Sequence, residues 1–116
     1  MAILQVLTVP DPRLRQKAKP VDKVDDNIRR LMDDLMETMY TEDGGGLAAT
    51  QVGIPLRVIV MDLSYGIPGF KPIKMANPEI VWKSDELKVE DEACISVPDQ
   101  YAKVVRSKAV RVRYLD

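Results

Sequence analysis

From Asp25 onward the apolar residues Ile28, Leu31, Met32, Leu35, Met36, Met39 and Tyr40 recur three and four apart, with Arg29, Arg30, Asp33, Asp34 and Glu37 between them. That period gathers the apolar side chains on one face and the charges on the other, so it predicts an amphipathic helix packed by one side only. Asp25 or Asp26 supplies a capping carboxylate at its start. The run Gly44 to Gly46 ends it, because glycine reaches left-handed backbone geometry without steric cost. Ahead of the helix, Pro10, Pro12 and Pro20 favour an extended, turning arm that wraps the body.

Beyond the glycines the pattern changes period. Arg57 to Leu63 is β-branched and bounded by Pro55 and Ser64, which predicts a largely buried strand, and residues 64–72 read as a loop. Glu79 to Trp82, Leu87 to Val89 and Val104–Val105 are short strand candidates. Ala109, Val110, Val112 and Tyr114 alternate with Arg111 and Arg113, the signature of a half-exposed antiparallel strand. Arm, helix and several strands make the class α+β, an amphipathic helix packed on antiparallel β-strands. With a single helix to cover them, one face of the strands is expected to stay open, an apolar area that invites a partner.

Composition narrows the function classes. The chain has 116 residues, 46% apolar and 30% charged, which suits one domain spanning 1–116 with a modest core. Seventeen basic residues against 18 acidic ones leave a net charge of -1, so no electrostatic case arises for nucleic acid or an anionic membrane as partner. There is no apolar run long enough to span a bilayer and no secretory signal pattern, and a cytoplasmic location is expected. One cysteine excludes an internal disulfide, and there is no histidine.

Two segments could carry chemistry. Taken alone, Gly44–Gly46 reads first as a helix stop; the functional alternative is that a peptide backbone approaches the glycines and pairs as an added strand. Ala48 and Ala49 would allow close packing beneath such a site, and the Gln51 amide could donate to a developing oxyanion. Cys94 by itself reads as a small buried apolar residue. Its setting between Glu92, Ser96 and Pro98 shifts weight toward a thiolate ligand, although a tetrahedral catalytic metal needs three protein ligands.

Together these segments resemble the peptide deformylase family. Gly44-Gly45-Gly46-Leu47-Ala48-Ala49-Thr50-Gln51 matches that family's Gly-x-Gly-x-Ala-Ala-x-Gln motif at every fixed position. Glu92-Ala93-Cys94-Ile95-Ser96 is similar to its Glu-Gly-Cys-Leu-Ser motif, with Ala93 for glycine and Ile95 for leucine. Asp11-Pro12-Arg13-Leu14 and Asn77-Pro78-Glu79 also follow the family pattern. The resemblance implies a hydrolase of protein biosynthesis that removes the formyl group from N-terminal formyl-methionine of nascent peptides at the ribosome. It implies a divalent metal, iron or in its place nickel, cobalt or zinc, held by Cys94 and two histidines of a helical His-Glu-x-x-His motif. It further implies Gln51 and the Ile95 backbone N–H as oxyanion donors, Glu92 as a positioning residue, and Gly44, Gly45, Gly46 and Leu47 as the peptide-binding edge.

The third motif is missing from these residues, and with it both imidazoles and the general-base glutamate. The expectation is therefore a truncated deformylase-like domain without its metal-binding helix, inactive alone and binding metal tightly only if the site is completed. Alternatives are a non-catalytic binder of peptide N-termini and one half of a split enzyme awaiting a complementing C-terminal fragment.

Overall fold

The computed structural model describes residues 2–116, with Asp99 described by its backbone alone. Helix α1 runs Asp26–Thr41, and the Asp25 carboxylate caps it by accepting from the Ile28 N–H at 2.9 Å. Met32, Leu35, Met36 and Met39 of the predicted stripe are buried, while Tyr40 turns half-exposed at its edge. The helix stop differs from the expected one. Asp43, with φ 54°, is the left-handed residue, and none of Gly44 to Gly46 has positive φ. Gly44 N–H reaches the Met39 carbonyl at 3.0 Å and Asp43 N–H the Tyr40 carbonyl at 3.2 Å, the paired closing bonds of a Schellman turn. Aspartate tolerates that conformation better than most side chains, which leaves the glycines free for another role.

Six strands follow: β1 Gly46–Ala48, β2 Val58–Met61, β3 Ile73–Lys83, β4 Leu87–Cys94, β5 Val97–Ser107 and β6 Val110–Leu115. They form an antiparallel sheet in the order β1-β2-β3-β6 and a separate β4-β5 hairpin. Strand β3 begins earlier than its apolar run suggests. Asn77, with φ 50°, and Pro78 interrupt it with a register shift, so the strand passes through residues that read as a turn. Strand β5 is likewise far longer than Val104–Val105, because cross-strand pairing with β4 carries its polar residues.

The core lies between the apolar face of α1 and the β1-β2-β3 half of the sheet, where Met32, Leu35, Met36 and Met39 pack on Leu47, Ala49, Val58, Val60 and Ala76. The arm is tied to this body throughout. Leu4 N–H donates to Thr38 Oγ1 at 2.8 Å, the Asn77 amide bonds both the N–H and the carbonyl of Val21, and Lys19 bridges to Leu56. The outer half of the molecule is different. Ile80, Trp82, Val110 and Leu115 on β3 and β6, and Leu87, Val89 and Val105 on the hairpin, are all exposed, the open apolar surface expected from a single helix. Among the described residues, no helix is long and apolar enough to cross a membrane.

Candidate functional site

Strand β1 lies at one border of the sheet and, among the described residues, pairs with no strand but β2, so its other edge has no strand beside it. After it the chain makes a tight 3-10 turn, Ala49–Val52, closed by Gly53 at φ 82°, a conformation that favours glycine. This turn aims Gln51 across the molecule. Its Oε1 accepts from the Ala48 N–H at 3.0 Å, while Nε2 donates to Ser96 Oγ at 3.0 Å and lies 3.6 Å from Cys94 Sγ. One half-buried amide thus joins two segments more than 40 residues apart.

Ile95 and Ser96 form the tip of the β4-β5 hairpin, flanked by Cys94 and Val97, which pair across it. Cys94 is exposed rather than buried, which overturns its reading as a core cysteine; the buried polar residue of the segment is Ser96, 4% exposed. Ile95 packs on the core beside Gly44, whose added Cβ would meet Ile95 Cγ2 at 3.6 Å. The arm then pins both segments at alternate residues. Leu7 N–H donates to the Gln51 carbonyl at 2.7 Å and Val9 N–H to the Ser96 carbonyl at 2.9 Å. In an extended segment, residues two apart face the same way, so one stretch of arm clamps the glutamine turn and the cysteine hairpin together.

A cavity of about 690 Å³ opens between these elements, lined by Gly44, Gly45, Cys94 and Ile95 together with Tyr65 and Tyr101. The expected site residues therefore divide. Gly44, Gly45, Cys94 and Ile95 share the cavity, and Gln51 borders it through Cys94. The Leu47 side chain is core and its backbone pairs with Val60 of β2; Gly46, opposite Met61, does not line the cavity. Glu92 is engaged by the Arg106 guanidinium through both carboxylate oxygens, Nη2 to Oε1 at 2.7 Å. Those hydrogen bonds hold its carboxyl below the usual glutamate range. Tyr65 and Tyr101 are among the lining residues that the motifs do not mark, brought in by their place in the loop and the hairpin.

The residues present do not fit a catalytic divalent metal. Cys94 offers one sulfur, the chain has no histidine, and among the described residues no group of three or more His, Cys, Asp or Glu side chains is placed to hold an ion. What the arrangement can do is hold an extended backbone along β1 and present an oriented amide and a thiol to its end.

The family model described as polypeptide deformylase matches residues 3–116. The chain is 51% identical to the peptide deformylase of Phenylobacterium zucineum over all of its own length and 69% of the relative's, and 55% identical to that of Hyphomonas neptunium, covering 66%. It thus spans about two thirds of these curated relatives. Among solved structures, peptide deformylase from Ehrlichia chaffeensis in complex with actinonin superimposes with a TM-score of 0.94 at 42% identity, covering 100% of this chain and 70% of that one. The Thermotoga maritima enzyme does so with a TM-score of 0.90 at 40% identity, covering 98% and 74%.

Proposed function

The chain belongs to the polypeptide deformylase family, and we propose that its 116 residues form the peptide-holding half of a deformylase site, which binds formyl-methionyl peptides but does not hydrolyse them unaided. The observation that carries this reading is the Gln51 amide, fixed by Ser96 and set 3.6 Å from Cys94 Sγ at the end of a free strand edge. A peptide adding to the Gly44–Gly46 edge would run its N-terminal formyl group toward Gln51, Cys94 and the Ile95 N–H. Main-chain pairing supplies affinity there, and the oriented amide supplies a donor for a carbonyl oxygen. Glu92, tied to Arg106, stiffens the hairpin that presents Cys94.

The chemistry needs groups these residues lack. Loss of general acid-base help alone costs about 10² to 10⁴-fold in rate, and a single thiolate does not assemble the site that would activate water. Two imidazoles and a carboxylate base from outside these residues, in cis or in a separate polypeptide, would complete it. The apolar surface left open on β3, β6 and the β4-β5 hairpin favours that completion, since a helix carrying those groups would have a face to dock on. The setting is the cytoplasm, on chains emerging from the ribosome, and only a completed site would hold the family's divalent ion, iron or its substitutes.

The test has two arms on the purified chain. Titration with formyl-Met-Ala-Ser is expected to shift the backbone amide resonances of Gly44, Gly45 and Ile95, with no formate released in the presence of a divalent metal. Formate release by the chain alone would overturn the half-site reading. Absence of any shift at the glycine edge would overturn peptide binding.

A further inference from the structure

We propose that Tyr65 is a specificity-determining residue of the peptide cleft, offering its ring as a stacking surface to an aromatic side chain of the bound peptide. This rests on the reading of the cleft as a peptide site. Gly45 occupies the variable position of the Gly-x-Gly motif, and its φ is not positive, so neither the motif nor backbone conformation demands glycine there. The space beside it does. A Cβ added at Gly45 would lie 3.0 Å from Tyr65 Cε1, 3.1 Å from its hydroxyl and 3.2 Å from Leu63 Cδ2. The phenol stands where a side chain at position 45 would project.

The loop that carries Tyr65 is anchored at its base. Asp62 N–H donates to the Gly45 carbonyl at 2.9 Å, the Tyr40 hydroxyl donates to the Asp62 carboxylate, and Ser64 N–H donates to Asp62 Oδ1 at 2.9 Å. Ile67 N–H closes the turn on the Leu63 carbonyl at 2.9 Å. The ring is thus placed against the glycine edge and yet left in water. Tyr65 and Tyr101, 82% and 79% exposed, are the two most exposed of the large hydrophobic residues described, and both line this one cavity. Tyr65 also borders an adjoining cavity of about 500 Å³ beside Tyr40, Asp43 and Ser64, so with Asp43 and Gly44 it faces both. A peptide paired to β1 carries the side chain nearest Gly45 past this ring. Offset or edge-to-face contact between two aromatic rings adds about 2- to 13-fold in affinity beyond burial.

The experiment is a titration of the full chain and its Tyr65→Phe, Tyr65→Ala and Gly45→Ala variants with formyl-Met-Ala-Ala, formyl-Met-Phe-Ala and formyl-Met-Ala-Phe, followed by amide NMR shifts. The expected result is that one phenylalanine peptide binds about 2- to 13-fold tighter than the alanine peptide. Tyr65→Phe should keep that preference and Tyr65→Ala abolish it, with a smaller loss for formyl-Met-Ala-Ala than for the preferred phenylalanine peptide. Gly45→Ala should weaken it as well, because the ring tip must give way to the new methyl. Equal preference in wild type and Tyr65→Ala, or equal loss for all three peptides in the variant, would overturn the role of Tyr65 while leaving peptide binding intact. If the unaltered chain binds none of the peptides, the peptide reading itself falls and this one with it.

Discussion

Ser96 is the hinge on which the site geometry turns, and Ser96→Ala isolates it. The substitution removes one oxygen from a side chain that is 4% exposed and leaves the Ser96 carbonyl free to accept from Val9 as before. What disappears is the 3.0 Å bond from Gln51 Nε2, whose remaining contact is Cys94 Sγ at 3.6 Å, a weak acceptor. A hydrogen bond of this kind contributes about 0.5 to 1.5 kcal/mol net. Gln51 is half-buried, so water can reach its freed amide in part, and a loss of about 1 kcal/mol is the expected value. In a domain of this size that is a fall in Tm of about 3 to 6 °C. Urea unfolding should show a lower midpoint at unchanged slope. The side-chain NH₂ resonances of Gln51 should move toward solvent-exposed values, and the formyl-peptide affinity should drop because the donor is no longer aimed. If Ser96→Ala leaves the Gln51 side-chain resonances where they were and the midpoint unmoved, the Ser96 bond does not orient the amide and the account of the site is wrong.

Thr38→Val should cost about 1 to 3 kcal/mol, since valine keeps the volume but strips the Leu4 N–H of its acceptor; urea unfolding and faster hydrogen exchange at Leu4 would report it, and unaltered exchange there would count against the arm anchor. The Glu92 carboxyl, held down first by its hydrogen bonds from Arg106, should titrate below its ordinary 4.5 in a side-chain carbon NMR experiment. Because its folded value is depressed, its contribution to stability is present above the unfolded value and is lost as pH falls through the folded one. Glu92→Gln should flatten that part of the acid limb, and a Glu92 that titrates at or above 4.5 would refute the pairing.

Sequence by itself determined those features that depend on local period and local chemistry. The stripe from Ile28 to Met39 set the buried face of α1, since a helix repeats too regularly to hide which side is apolar. The alternation from Val110 to Tyr114 marked β6 for the corresponding reason. The two motifs named the family, and the absence of histidine limited the metal chemistry, because ligand type is written in residue identity. Tertiary structure decided what depends on pairing between distant segments. Strands β3 and β5 extend through Asn77-Pro78 and through polar residues because their partners supply the hydrogen bonds, a cause with no local signature. The left-handed residue at the helix end proved to be Asp43, which released Gly45 to sit beneath the Tyr65 ring. Cys94 came to the surface because it stands at a hairpin tip, and Leu7 and Val9 became clamps because an arm returned across both motifs. A side chain's chemistry can be read where it stands in the chain, but its neighbours are set by the path of the backbone through space.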